Sequence, residues 1–161
     1  MKNHVKSSLE DCKLPYVLCG GIIIPKGAKE FDQALVVDVL EWLKQFPTAQ
    51  KPYIAALRQY YDNNEPRDIA DNLRKSLEGF LQDYLTNKKN FDNNINEIGL
   101  SLKDAGVNEE IRNMVTTLSR YYNNLNNKTA KHHDKVEKTD VEFLLYQTGV
   151  FMRYLCIVKQ K

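Results

Sequence analysis

The chain has 161 residues, of which 42% are hydrophobic and 27% are charged, and its formal net charge at pH 7 is +2. The length suits one domain with a single core, and the composition is typical of a folded soluble protein, which excludes a chain that is disordered throughout. The small net charge excludes polyanion binding driven by overall charge, so a nucleic-acid site would have to come from local clustering of cations.

Residues 1–27 differ in composition from the rest of the chain. Acidic residues stand where a secretory signal peptide would be apolar, and no apolar run reaches the ~18 residues of a membrane span. We therefore expect a cytoplasmic protein without a membrane partner. The β-branched run 22–24 follows Gly20 and Gly21, which predicts an extended segment or a small hairpin with the two glycines as its turn. Residues 28–161 are predicted to form a helical bundle.

From Lys29 onward, apolar residues recur at three- and four-residue steps, the period of an amphipathic helix. Proline divides this pattern, because it is tolerated in the first turn of a helix and disrupts the interior. Pro47 is therefore predicted to end the first helix, Pro52 to begin the second and Pro66 to begin the third. The third helix has the clearest apolar stripe, which consists of Ile69, Leu73, Leu77, Phe80, Leu81, Tyr84 and Leu85.

Two further boundaries follow from capping residues. Gly106 is a typical residue just beyond a helix C-terminus, and Asn108 can cap the next helix, whose first turn contains two glutamates. The predicted buried side of that helix consists of Ile111, Met114 or Val115, Leu118, Tyr121 or Tyr122, and Leu125. A last helix begins near Thr139. The sequence thus predicts an all-α fold: an antiparallel helical bundle of five or six helices with a short extended N-terminal segment.

The three cysteines, Cys12, Cys19 and Cys156, have an odd count and no CxxC spacing. This pattern argues against a disulfide framework and against a four-ligand zinc site. The sequence also contains no phosphate-binding glycine loop, no HExxH and no GxSxG motif. We therefore predict reduced thiols and no metal or other cofactor.

The stretch NNLNNKTAKHHDKV (residues 123–136), which we call the junction, lies between the last two predicted helices. It contains His132 and His133, two of the chain's three histidines. Histidine is the side chain whose ordinary pKa lies nearest neutrality, so a pair in a cationic setting is a candidate for proton transfer or phosphate contact. The other candidate residues of the junction are Asn126, Asn127, Lys128 and Lys131.

RNA is the ligand that these residue types fit. Residues 123–139 contain four lysines and two acids, and phosphodiester cleavage needs cations on the phosphate and a proton donor or acceptor near the reacting oxygens. The asparagine amides can hydrogen-bond phosphate or base edges, and Tyr121 or Tyr122 can stack on an unpaired base. The alternative is structural: asparagines that end a helix, lysines that solvate the corner and two incidental histidines.

Asp71, Arg74 and Glu78 of the third helix fall at three- and four-residue steps and therefore share one face. One interpretation is an ordinary ion pair between Arg74 and Glu78 on a solvated face. The other is that both residues line the same cleft as the junction, where Arg74 would act as a phosphate clamp.

The succession DNLRKSLEGFLQDYL, an Asn-rich helix end, NKTAKHHD and the closing segment VEFLLYQTGVFMRYL resembles HEPN domains, in particular those of bacterial abortive-infection and related phage-defence proteins. The resemblance covers residues 65–160. It implies a small α-helical bundle that dimerises. In active members it also implies a metal-independent ribonuclease, whose motif is an arginine, a polar residue, a few variable positions and a histidine near the start of the last helix.

The resemblance places His132 at the family histidine, with His133 as the other candidate, and places Asn126, Asn127 or Lys128 at the family arginine. Two functions remain open. The chain binds RNA and cleaves it as a homodimer, with the junction lysines on the scissile phosphate. Alternatively, it has lost the ribonuclease motif and is a non-catalytic dimerisation or regulatory module for a fused or co-encoded effector.

In the second alternative the last helix self-associates, and the residues expected at that contact are Phe143, Tyr146, Val150 and Phe151. A helical DNA-binding adaptor is a third class. The sequence favours it less, because no helix concentrates arginine and lysine as a major-groove reader does.

Overall fold

A computed structural model describes the protein over residues 16–19, 22–25, 38–129 and 136–159, with side chains over 38–124 and 136–159. Within these ranges the helices are a segment that is α-helical over 38–42 and 3₁₀-helical over Leu43–Gln45 (the 38–45 segment), α1 (Pro47–Tyr61), α2 (Pro66–Leu85), α3 (Phe91–Asp104), α4 (Glu109–Thr129) and α5 (Lys138–Lys159). They pack into a bundle, which confirms the predicted all-α fold.

The N-terminal strands form the predicted hairpin. β1 (Tyr16–Cys19) pairs antiparallel with β2 (Ile22–Pro25), and Cys19 lies opposite Ile22 at the closed end. Isoleucine suits this position because β-branched side chains favour extended backbone. β2 lies beside α1, so the hairpin contacts the bundle.

α1 begins at Pro47, five residues before the predicted start at Pro52. That prediction was wrong because α1 is capped by a residue distant in sequence. The Asp83 carboxylate of α2 accepts hydrogen bonds from the Thr48 backbone N–H (3.0 Å) and from the Thr48 hydroxyl (2.9 Å). A carboxylate at a helix N-terminus also complements the helix dipole. Pro52 therefore lies inside α1, where its missing N–H deprives the Thr48 carbonyl of its helical donor.

The predicted caps between α3 and α4 are confirmed. Gly106 has a φ of 72°, in the left-handed region that favours glycine, and the Val107 N–H donates to the Leu102 carbonyl at 2.9 Å. This bond satisfies a carbonyl that the end of α3 would otherwise leave open. The Asn108 side chain accepts a hydrogen bond from the Glu110 N–H at 2.8 Å and so caps α4.

α4 continues to Thr129, so the asparagine-rich run 123–127 lies inside the helix and does not end it. Asparagine costs only ~0.7 kcal/mol per residue in a helix relative to alanine. Two contacts where this run begins offset that cost: the side chain of Tyr122, just before the run, is fully buried, and the amide of Asn123, its first residue, donates to the Asp92 carboxylate of α3.

α2 is the central helix and contacts α1, α3, α4 and α5. Its predicted stripe is buried apart from Leu85, which is partly buried against the same core. Each fully buried side chain of this size contributes ~1.5–3 kcal/mol. α5 runs parallel to α2, because Lys138 contacts Asn63 just before α2 and Lys159 contacts Tyr84 near its end.

α1 and α2 approach each other closely where α1 begins. A Cβ atom placed on Gly79 of α2 would lie 2.7 Å from the Thr48 carbonyl oxygen of α1. One turn away, the Ser76 hydroxyl donates to the Ala49 carbonyl at 2.8 Å. The crossing therefore depends on small residues of α2 facing the first turn of α1.

Candidate functional site

Most of the predicted RNA site lies outside the described side chains. Lys131, His132 and His133 lie outside the described residues altogether. Three more residues of the site lie in the last turns of α4, where the structure describes only the backbone: Asn126, Asn127 and Lys128.

The structure describes the end of the junction, from residue 136 into the start of α5. The Lys138 ammonium, at the start of α5, donates to the Asn63 side-chain oxygen and lies 5.7 Å from the centroid of the Tyr60 ring. Both residues belong to the end of α1 and the turn that follows it. The junction therefore returns to the bundle beside the α1–α2 turn.

Arg74 lies in a partly buried ion-pair network on α2. Its Nε and Nη2 atoms lie 3.2 Å from Asp71 Oδ1, and its Nη1 atom lies 3.1 Å from Glu78 Oε2. Lys75 also pairs with Asp71, and Glu78 Oε1 accepts a hydrogen bond from the Phe91 N–H at the start of α3. The Arg74 side chain is only 17% exposed. A phosphate would reach Arg74 only by displacing a carboxylate, so this geometry is that of a network joining α2 to α3.

Burial alone would raise the pKa of Asp71, but hydrogen bonds and charge from Lys75 and Arg74 outweigh burial and hold this pKa below its ordinary value. The carboxylate is therefore ionised at neutral pH. Since the folded-state pKa is lowered, the stabilisation from this pairing is present above the ordinary value of 3.8 and is lost as the pH falls through the folded-state value.

The two adjacent tyrosines of α4 have different environments. Tyr122 is fully buried, and its hydroxyl donates to the Leu144 carbonyl at 3.0 Å and hydrogen-bonds the Thr148 hydroxyl. This placement corrects the expectation that Tyr122 stacks on RNA, because its ring has no exposed surface. Tyr121 is the exposed member of the pair.

An apolar depression of about 480 Å³ lies between α4 and α5. Met114, Leu118 and Tyr121 line it from α4, and Phe143 lines it from α5; Met114 is 67% exposed and Phe143 58%. Ile111 was predicted to be buried but is exposed, because Val115 and Tyr122 turn a neighbouring side of α4 toward the core. Of the apolar residues that line the depression, Leu118 was predicted to be buried, Met114 and Tyr121 were left as alternatives to Val115 and Tyr122, and Phe143 was predicted at a self-association contact.

α5 carries exposed apolar side chains at seven-residue intervals: Phe143, Val150 (47% exposed) and Ile157 (48% exposed). Phe151, which was expected at a self-association contact, is buried in the core instead. Ile157 was missed, although its position two helical turns beyond Val150 is visible in the sequence. The exposed side of α5 therefore runs along most of the helix.

A separate cleft lies between the 38–45 segment and the C-terminal half of α5, with Trp42 on one side and Arg153 on the other. The Arg153 guanidinium lies 5.0 Å from the centroid of the Trp42 ring. Cys156 also lines this cleft, and burial raises the pKa of its thiol, an effect that nearby Lys159 partly offsets. The sequence did not indicate this cleft, because the residues that form it are far apart in the chain.

Within the described ranges, α5 is the one helix long and apolar enough to cross a membrane by length and composition, and half of its apolar stretch is buried in the bundle. Over the same ranges, no group of three or more histidine, cysteine or acidic side chains is placed to hold a metal ion.

The class of protein that this fold defines is an all-α helical bundle with a short N-terminal hairpin. Comparison with protein-family models found no match, and comparisons with curated proteins and with solved structures also found none.

Proposed function

We propose that this protein is a helical interaction module that self-associates through α5, with a second copy of the chain as its partner. The observation that supports this proposal is the row of exposed apolar side chains at Phe143, Val150 and Ile157. Seven residues are nearly two helical turns, so the three side chains lie within ~40° of one another around α5. Side chains with this spacing are those through which helices pair along their length.

The extent of the apolar surface supports a protein partner. Soluble monomers rarely expose large contiguous apolar patches, and larger ones mark interaction sites. Here the patch continues from Phe143 of α5 onto Met114, Leu118 and Tyr121 of α4. Burying such surface contributes ~25 cal/mol per Å², and tyrosine is among the residues that most often dominate interface energies.

The distribution of charge along α5 favours an antiparallel pair. The charged residues at its start are Glu137, Lys138, Asp140 and Glu142, three acids and one base that sum to −2; those in its second half are Arg153 and Lys159, which sum to +2. In an antiparallel pair centred on Val150, the acidic half of one copy faces the basic half of the other, and Phe143 lies opposite Ile157. A parallel pair would place like charges together.

Replacing Val150 with glutamate is expected to weaken the dimer at least tenfold. In a two-fold contact each Val150 meets its own symmetry mate, so the change removes apolar area and places two carboxylates together, which costs ~1–4 kcal/mol at contact distance. The dissociation constant is measured by sedimentation velocity across a dilution series. Leu100→Glu on α3, also an exposed apolar position, is the matched control and should leave the dimer intact. A wild-type chain that is monomeric at all concentrations would contradict the proposal.

The antiparallel orientation has its own test. In a background with the native cysteines changed to serine, Phe143→Cys and Ile157→Cys chains are mixed and oxidised. Antiparallel pairing predicts that the mixed disulfide forms faster than either homodimeric one, because disulfides need Cα atoms within ~7 Å. Preferred cross-linking of Phe143→Cys to itself would indicate a parallel pair instead.

RNA binding at the junction is a second function, favoured by its lysines and paired histidines and by the exposed Tyr121 ring on the helix that leads into it. We propose that His132 transfers a proton, Lys128 and Lys131 hold the scissile phosphate, and Asn127 orients it. The 2′-hydroxyl oxygen bonds to phosphorus and gives its proton to a base, and the 5′-oxygen leaves with a proton, which yields a 2′,3′-cyclic phosphate without a metal. This is the activity that the resemblance to HEPN domains of phage-defence proteins implies.

His132→Ala is expected to slow cleavage of single-stranded RNA roughly 10²–10⁴-fold, the usual contribution of a positioned acid or base. The assay is run with a chelator present, and His4→Ala, which changes the one histidine outside the junction, is the control. Lys131→Ala should weaken RNA binding and lower the slope of log affinity against log salt by about one, since each phosphate contact releases counterions. RNA that stays intact with the wild type would reject the catalytic role, and binding that does not vary with salt would reject the phosphate contacts.

A further inference from the structure

The cleft between the 38–45 segment and α5 lies at the opposite end of α5 from the junction. It shares Arg153, Ile157 and Lys159 with the surface proposed for self-association, but it also includes the aromatic side chains of Trp42 and Phe46, which that proposal does not use. Its volume is about 320 Å³. Trp42 and Phe46 line it from the 38–45 segment and the residue that follows, and Arg153, Ile157 and Lys159 line it from α5. An aromatic surface and two cations therefore face the same space.

Within one copy of the chain, and over the residues that the structure describes, the two cations of the cleft have no carboxylate to neutralise them. None of the five described ion pairs includes Arg153 or Lys159, and no acidic residue lines the cleft. The Lys159 ammonium donates to the Tyr84 carbonyl at 2.7 Å and lies 4.7 Å from the centroid of the Tyr84 ring. An ammonium has three N–H groups, so donor capacity remains for a ligand. The Arg153 guanidinium carbon lies 5.0 Å from the centroid of the Trp42 ring, and no hydrogen bond among the described residues uses its N–H groups, so these donors remain available to a ligand.

The end of α5 opposes this positive charge only weakly. The open carbonyls at a helix C-terminus amount to about half a negative charge. Arg153 and Lys159 together supply two full positive charges, so the cleft keeps a positive potential and attracts anions.

We propose that this cleft binds a small organic anion with a flat apolar body, in which the ring packs against Trp42 and Phe46 and the anionic group is held by Arg153 and Lys159. A guanidinium can stack on an aromatic ring and bind a phosphate or carboxylate through its edge at the same time. The volume lies at the lower end of the ~300–1,000 Å³ of small-molecule sites. It therefore suits one ring with one anionic group and excludes a dinucleotide.

The chain provides its own reporter for this site, because Trp42 is its only tryptophan. Tryptophan fluorescence is followed while the full chain is titrated with phenyl phosphate, which has both the ring and the charge. Inorganic phosphate supplies the charge alone and phenol supplies the ring alone. The expected result is a saturable change with phenyl phosphate and at least tenfold weaker binding of each of the other two probes.

Arg153→Gln is expected to weaken phenyl phosphate binding about tenfold to a hundredfold, because it removes a charge-assisted contact. Arg120→Gln, at an exposed arginine of α4, is the matched control and should bind like the wild type. If Arg153→Gln alters the thermal unfolding of the chain, Lys159→Gln takes its place.

Each titration is repeated with Val150→Glu, because Ile157 belongs to both the cleft and the row on α5. This variant separates failure of ligand binding in the cleft from failure of self-association.

Alkylation of Cys156, followed by mass spectrometry, is an independent readout. Phenyl phosphate should slow the modification of Cys156 several-fold without changing the rates at Cys12 and Cys19 in the same sample. Three results would overturn the proposal: no saturable change in fluorescence, equal binding of phosphate and phenyl phosphate, or unchanged binding by both Arg153→Gln and Lys159→Gln.

Discussion

Replacing Gly79 with alanine is expected to lower the free energy of unfolding by up to ~2 kcal/mol, although alanine is the better helix former. The added Cβ would lie 2.7 Å from the Thr48 carbonyl oxygen and 2.8 Å from its carbon. Both atoms belong to the backbone of α1, so no side-chain rotation relieves the contact. Overpacking of this kind costs ~1–3 kcal/mol, whereas helix propensity returns only ~1 kcal/mol. The steric cost therefore exceeds the gain in helix propensity.

Gly99→Ala is the matched control, because Gly99 also lies inside a helix but has open space around it. The nearest atom to an added Cβ there is the Thr116 hydroxyl oxygen, at 4.0 Å. Only the propensity gain applies, so this variant should be more stable than the wild type by ~0.5–1 kcal/mol. Both variants are measured by urea unfolding, in which a change of midpoint without a change of slope reports stability. A stabilising effect in both would mean that α1 and α2 do not meet closely at Gly79.

The same crossing explains why a proline is tolerated inside α1. Pro52 cannot donate to the Thr48 carbonyl, and that carbonyl is the group that lies against Gly79. The carbonyl of α1 that lacks a helical donor therefore faces α2 at Gly79, where α2 has no side chain.

Helix boundaries that depend on neighbouring residues could be predicted from the sequence. Gly106 and Asn108 each act within one helical turn, so their residue type and spacing were sufficient. The start of α1 could not be predicted in this way, because Asp83, which caps Thr48, lies 35 residues further along the chain. The preference of proline for the first turn of a helix predicted that α1 begins at Pro52, whereas it begins at Pro47.

The candidate sites were harder to predict, because they depend on which side of a helix faces its neighbour. α5 has apolar residues all round, so the sequence did not distinguish Phe143, which is exposed, from Phe151, which packs in the core. The adjacent Tyr121 and Tyr122 presented the same ambiguity, and the position of α5 resolves it. Trp42 and Arg153 meet across more than one hundred residues of sequence, a distance at which no spacing rule applies.

Removing the hydroxyl group from two buried tyrosines is expected to change stability in opposite directions. Tyr53→Phe should raise the free energy of unfolding by ~1 kcal/mol, and Tyr122→Phe should lower it by ~1–2 kcal/mol. Both side chains are fully buried, and burial raises the pKa of each phenol well above its ordinary value, so both are neutral. The difference is that the Tyr53 hydroxyl has no hydrogen-bond partner among the described residues, whereas Tyr122 bonds the Leu144 carbonyl and the Thr148 hydroxyl.

The two substitutions remove the same atom from the same residue type, so differences in ring packing largely cancel. The sign of the change in the free energy of unfolding therefore reports whether the hydroxyl was hydrogen-bonded. Urea unfolding of both variants measures this change. A loss of stability in Tyr53→Phe would mean that its hydroxyl has a partner, and the core assigned here would then be wrong at that point. For Tyr122, a double-mutant cycle with Thr148→Val should give a coupling energy of ~0.5–1.5 kcal/mol. Zero coupling would show that Tyr122 does not bond α5 through Thr148, and would leave its bond to the Leu144 carbonyl and packing to hold α4 against that helix.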